Sequence, residues 1–318
     1  MTGASAADEV GAAMADAYFD LPRMSVADET ATREYFERGP AHPVIYTDAL
    51  DNWPALGKWS IDWFEREYGD QFGLIPKDFF DGNSGKAVSL GDYIRHLDGS
   101  SANTPGFWVD EDKVPVNHPL GDPANNWAFS WRPFHDCPEL LDDLGPYPAG
   151  CENLVQRLPN DVAQMLEWIT RTEFFSVYIS RKDTITPMHY DFHHSIGSLA
   201  QLEGAKRVIL AEPRDADTDE LRGLNPEDAS YASNEHAAGR LHYHGQLRPR
   251  DLLIIPPRWW HSVRSLDHTL TLSHNFFSPQ NIGDFMRGFF CDLGATRRDD
   301  LQAKLDKSFP QKTGTTDK

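Results

Sequence analysis

From about residue 172 the hydrophobic period of the chain changes, and that change constrains the fold more than any other feature. FFSVYIS reads as one strand, and SLAQLEGAKRVILAEP reads as two strands around a turn at Gly204. RDLLIIPP, WWHSVRSL and TLTLSHNFF read as three more, broken at Pro256-Pro257 and at Asp267-His268. Short strands recurring at roughly ten-residue spacing, with turn residues between them, build a sandwich or a barrel. LDHTLTLSHNFF alternates cleanly, with Leu270, Leu272, His274 and Phe276 on one face and Thr271, Ser273 and Asn275 on the other. A polar face on a strand among apolar strands meets either solvent or a polar cavity.

Residues 28–170 read differently, mostly as helices and loops with a few strands. SIDWFEREYG carries Ser60 as an N-cap and Gly69 as a stop. SLGDYIRHLD repeats the pattern from Ser89, and NDVAQMLEWITR places Val162, Met165, Leu166 and Ile169 at helical spacing. PVIYTDA is a strand around Val44 to Tyr46. The expected organisation is a flexible arm over 1–24, a helical and mixed region over 25–170, a barrel core over 171–280, and C-terminal helices and tail over 281–318.

Composition narrows the function. Net charge is −19, from 49 acidic against 30 basic side chains. Such a surface repels phosphate backbones, which makes nucleic acid an unexpected partner and weakly favours a cationic substrate. Cys137, Cys151 and Cys291 are odd in number and far apart, which argues against a disulfide framework or a zinc ribbon. No apolar run has the length of a membrane span, and the small, acidic N-terminus lacks the features of a signal peptide. A soluble, cytoplasmic protein is expected.

TPMHYDFHH, residues 186–194, concentrates three histidines and an aspartate. On a strand, His189 and Asp191 point to the same side. A 2-His-1-carboxylate metal set needs one further histidine and leaves coordination positions open. His261, in PPRWWHSV, is the best candidate, provided its strand faces the first across a small barrel. A polar strand end and an unrelated core histidine are the alternative. His193 and His194 are candidates for substrate contact or ordinary loop residues. His242 and His244 alternate like a ligand pair but are more simply strand residues, and Trp259 and Trp260 read as packing.

Four blocks in order carry a resemblance: GPAHPVIYTDALDNWPALGKWSIDWFEREYG, TPMHYD, QLEGAKRVILAEP and DLLIIPPRWWHSVRSLDHTLTLSHNFF. Over roughly residues 25–290 the chain resembles a JmjC-type oxygenase of the cupin fold, a double-stranded β-helix. It is nearest to the small hydroxylases that include the asparaginyl hydroxylase acting on hypoxia-inducible factor. The resemblance implies an Fe(II) centre on His189, Asp191 and His261, with 2-oxoglutarate as co-substrate and O₂ as oxidant. It implies Lys206 and Thr186 on the far carboxylate of 2-oxoglutarate, Asn275 near its metal-bound end, and Trp108 where relatives place a Tyr contacting it. The implied product is a hydroxylated amino-acid side chain in a protein, peptide or small molecule. The helix over 282–293 is either a homodimer surface, as in relatives, or a cover for the barrel.

Three departures stand out. There are about two extra residues around Ser195–Ser198, Ser195 replaces a frequent Asn, and Arg250 and Arg258 replace the commoner Gly. The first two bear on pocket shape and the third on the bends. Two other functions compete: a metal-binding cupin that does not use 2-oxoglutarate, and a catalytically silent binding protein. Asp191 and Lys206 argue against the first, and the intact triad with Lys206 against the second. Lysine demethylation is a minor reading, since the chain has no evident reader domain or zinc cluster.

Overall fold

Alternation and turn chemistry resolve into two facing sheets. The computed structural model describes residues 18–287 except 78–83, 100–103, 111–112, 119, 121–127, 152–158, 171–173 and 215–218. With strands numbered in chain order, the smaller sheet contains β1 (Tyr18–Asp20), β10 (Ile185–His189), β12 (Lys206–Ala211), β13 (His242–Leu247) and β15 (Trp260–Ser265). They lie in the order β1-β13-β12-β15-β10. The larger sheet contains β2 (Arg23–Met24), β3 (Val44–Tyr46), β4 (Phe72–Pro76), β5 (Gly85–Ser89), β6 (Phe107–Val109), β7 (Pro115–Val116) and β8 (Phe129–Trp131). It also contains β9 (Phe175–Ser180), β11 (Ile196–Glu203), β14 (Leu252–Ile255) and β16 (Thr269–Phe276). Its order is β2-β3-β14-β11-β16-β9-β8-β4-β5-β6-β7. This is the jelly-roll barrel expected of the C-terminal half.

Local sequence explains the connections. Gly204 turns β11 into β12 at φ +68°, where a Cβ would also lie 2.1 Å from the His268 carbonyl oxygen. Arg250 and Arg258 adopt the left-handed backbone that a Gly would hold without strain, at φ +88° and +67°. Each is tied down by its own guanidinium. Arg250 forks onto Asp51 at 2.7 and 2.6 Å, and Arg258 donates to the Arg214 carbonyl at 2.9 Å. The helices Ile61–Tyr68 and Leu90–Arg95 start on Ser60 and Ser89, whose hydroxyls accept from Trp63 N and Asp92 N.

Two apolar layers hold the sheets. Leu21, Ile45, Val208, Leu210, Leu253, Ile255 and Trp259 form a cluster from both sheets, so they fill one part of the barrel interior. Leu270, Leu272 and Phe276 of β16 join a larger cluster with Trp53, Phe64, Leu90 and Tyr93 of the N-terminal region. The apolar face of β16 is therefore covered by those elements, and its polar face is left to the barrel interior. Trp259 and Trp260 are buried, as packing residues should be.

The N-terminal region holds helices and strands, as a mixed region should, with more strand than the sequence reading placed there. It adds β4 to β8 to the larger sheet, where the sequence reads mostly as helices and loops. These strands have two to five residues, too short for a period to emerge against neighbouring Gly and Pro. Residues 18–20 and 23–24, assigned to a flexible arm, form edge strands parallel to β13 and β3. The rest of that arm, Cys291, and most of the 282–293 helix with the tail lie outside the described residues; 282–287 are helical. Cys137 and Cys151 are free. Among the described residues no helix is long and apolar enough to cross a membrane.

Candidate metal centre

β10 and β15 run antiparallel with His189 directly opposite His261. The register brings the two rings to a centroid separation of 4.0 Å. Asp191 follows β10 and its Oδ1 lies 3.9 Å from His261 Nε2. One donor atom from each of the three residues lies within 4.8 Å of the others, and this is the one such cluster found among the described residues.

The surroundings prepare these donors for a cation. His189 Nδ1 lies 2.9 Å from the Pro187 carbonyl oxygen, and His261 Nδ1 lies 3.0 Å from that of Trp259. A carbonyl can only accept, so each ring carries its proton on Nδ1 and turns the Nε2 lone pair toward the centre. Burial, reinforced by the neighbouring His261, holds His189 well below its ordinary range and keeps it neutral. Burial raises the Asp191 carboxyl, while His261 and a hydrogen bond with Asn275 act the other way. Gly197 faces this carboxylate so closely that a Cβ there would fall 2.2 Å from Asp191 Oδ2. Two imidazole nitrogens, a carboxylate and a bare glycine cradle fit a divalent metal ion, and the set matches the 2-His-1-carboxylate pattern.

A cavity of about 110 Å³ opens from these donors into the barrel. Thr186, Lys206, Asn275 and Ser273 line it, so the polar face of β16 does meet a polar cavity. Lys206 sits opposite Ser265 on β15, two inward-facing positions beyond His261, or roughly 13 Å along the strand. The residue is 6% exposed, and burial pushes its ammonium down to about 7. Among the described residues no carboxylate lies within ion-pair distance of it. Asn275 Nδ2 donates to Ser195 Oγ at 3.2 Å, so the residue replacing the frequent Asn still anchors this wall.

Trp108 does not join the site. It lies on β6, four strand positions from β9 and roughly 19 Å away at the usual interstrand spacing, and it is not a cavity residue. Among the described residues the aromatic side chain lining the cavity is that of Tyr178 on β9. Sequence reasoning missed Tyr178, with Ser180, Thr184, Ser198 and Ser265. The signal for two of them was present, because Ser176, Tyr178 and Ser180 alternate with Val177 and Ile179 as the residues of β16 do.

The remaining histidines fall outside the cluster. His242 is satisfied at both nitrogens, by Tyr231 Oη at 2.9 Å and the Arg240 carbonyl oxygen at 3.0 Å, and His244 faces Asp20 at 3.3 Å. They form no second metal site. His194 is exposed with φ +58°, and the His193 side chain lies outside the described residues.

Comparison with known proteins agrees with this geometry. Residues 130–282 match the family described as the cupin-like domain. The chain is 26% identical over 267 residues to the Drosophila melanogaster Jumonji C domain-containing protein 5, covering 77% of this chain and 57% of that one. It is 25% identical to the Arabidopsis thaliana lysine-specific demethylase JMJ30, over 79% of this chain and 53% of that one. It is 26% identical to the human tRNA wybutosine-synthesizing protein 5, over 79% of this chain and 76% of that one. The chain thus spans little more than half the length of the first two relatives. All three donors fall inside residues 130–282, the span that matches the cupin-like domain.

Proposed function

We propose that the chain is an Fe(II)- and 2-oxoglutarate-dependent oxygenase that hydroxylates an unactivated C–H bond. The observation that carries this reading is Lys206, a buried ammonium without a carboxylate partner among the described residues, in the same cavity as the three metal donors. A buried charge without a partner is costly, and a co-substrate carboxylate would supply the partner. A metal-binding cupin that does not use such a co-substrate has no need of that cation.

In this reading His189, Asp191 and His261 hold the iron, and Lys206 and Thr186 hold the far carboxylate of the co-substrate. Bound iron with 2-oxoglutarate and O₂ supplies the oxidation, with succinate and CO₂ as co-products. The protein holds the imidazoles in one tautomer through Pro187 and Trp259, fixes Asp191 between Gly197 and Asn275, and encloses the cavity.

The substrate is an amino-acid side chain of a protein, peptide or small molecule. Placement beside the asparaginyl hydroxylases rests on the sequence blocks alone. The relatives' names carry two further classes, methylated lysine and tRNA. A net charge of −19 favours a cationic group over a polyanion, so the methylated or basic side chain is the better second reading. The free thiols of Cys137 and Cys151 support a cytoplasmic location in this reading.

The test is spectroscopic. Adding 2-oxoglutarate to the anaerobic Fe(II)-loaded protein should produce a visible charge-transfer absorption, weakened in Lys206→Ala and absent in His189→Ala. Bound iron with no spectral response to 2-oxoglutarate would favour the cupin that does not use it.

A further inference from the structure

A second orphan polar group lies at the Lys206 end of the cavity. Thr184 is 3% exposed, its Oγ1 is buried without a hydrogen-bond partner, and its side chain lines the cavity. Its backbone is held from both sides, since Thr184 N donates to the Arg181 carbonyl and its carbonyl accepts from Ser265 N at 2.9 Å. Ser265 is also the register partner of Lys206 on the other side of β15. Thr184, Ser265 and Lys206 therefore form one row across three neighbouring chain segments.

The neighbouring hydroxyl is already engaged. Ser265 Oγ lies 3.3 Å from Thr269 Oγ1. Among the described residues the Thr184 hydroxyl has no hydrogen-bond partner and the Lys206 ammonium has no carboxylate within ion-pair distance. Leaving a buried hydroxyl unsatisfied costs about 1–3 kcal/mol. An unsatisfied hydroxyl in one row with a cation suits an anion with more than one acceptor oxygen.

Resting on the oxygenase reading above, we propose that Thr184 is a co-substrate-binding residue whose hydroxyl donates to the distal carboxylate of 2-oxoglutarate beside Lys206. The carboxylate then sits one inward position deeper than Thr186 alone would set it. Thr186 pairs with Val263, and Thr184 bonds to Ser265 at the next inward position along β15. Position 184 becomes the gauge of co-substrate length, and position 186 a flank.

The test is calorimetric binding to the anaerobic Fe(II)-loaded protein, in wild type, Thr184→Val, Thr184→Ser and Thr186→Val. The probes are 2-oxoglutarate and 2-oxopentanoate, which shares its metal-binding end but lacks the distal carboxylate. Thr184→Val should weaken 2-oxoglutarate binding about tenfold or more, as expected for a hydrogen bond to a charged group. It should leave 2-oxopentanoate binding unchanged, which a merely structural defect would not. Thr184→Ser should bind 2-oxoglutarate like wild type, and Thr186→Val should lose less than Thr184→Val. Equal 2-oxoglutarate affinity in wild type and Thr184→Val, or an equal loss for both probes, would overturn the Thr184 assignment and leave the oxygenase reading standing. Wild type binding neither probe would overturn both.

Discussion

Two residues carry most of what the site demands. Lys206 is pushed down to about 7 by burial, so near neutral pH the empty protein holds it partly deprotonated. A dianionic co-substrate needs the ammonium. Affinity for 2-oxoglutarate should therefore be highest below pH 7 and fall as pH rises above it, by up to about tenfold per unit, with proton uptake on binding. Calorimetry at pH 6.5 and 8.5 in buffers of different ionisation enthalpy checks this, and Lys206→Met should abolish both the dependence and the uptake. The sign for stability is the reverse. The folded value lies below the unfolded one of about 10.4, so the empty protein gains stability as pH rises from about 7 toward that value. Gly197 is the other residue. A methyl group there would meet the free end of Asp191, which can swing away. Gly197→Ala should keep its thermal midpoint within a few degrees yet lose at least about tenfold in metal affinity, the scale of disrupted outer-shell contacts. Metal titration beside a melt would show it, and unchanged affinity would mean the cradle is dispensable.

At the scale of elements, the bends before β14 and β15 show strain held by side chains. Arg258 sits at φ +67° with one guanidinium hydrogen bond to show for it. Arg258→Gly should stabilise the fold by about 1 kcal/mol, the relief of left-handed strain less the extra freedom of the unfolded chain. Arg250→Gly should be closer to neutral, because it also removes the forked pair with Asp51. Chemical denaturation of the two variants separates them, and destabilisation by Arg258→Gly would contradict the strain account. The two arginines were legible in the sequence as substitutions for glycine, and so were all six strands from β9 onward that the alternation picked out. β16 was readable down to its faces because its period of two runs for eight residues. β4 to β8 were not, because strands this short have no period of their own and form only as extensions of a sheet that already exists. Trp108 went astray for the same reason, since its neighbours fix the strand but not the strand's place in the sheet.

The whole molecule turns one sheet's polar face inward and covers its apolar face with the N-terminal region. That inversion makes the barrel hollow and polar around Lys206 while the outer layer supplies the core. His189 and Asp191 were legible from their spacing of two at the end of β10, while His261 comes from the neighbouring strand β15 of the same sheet rather than from across the barrel. The hydroxyl lining from Thr184, Ser198 and Ser265 was not legible, because isolated polar residues acquire meaning only when two sheets face each other. The reaction class is testable without the substrate. The most direct measurement is succinate release from 2-oxoglutarate by the anaerobically Fe(II)-loaded protein, exposed to O₂ without added substrate. His189→Ala and Lys206→Ala run beside it. Slow release in wild type, lost in both variants, is the result this account predicts. Iron-loaded wild type releasing no more succinate than either variant would contradict it.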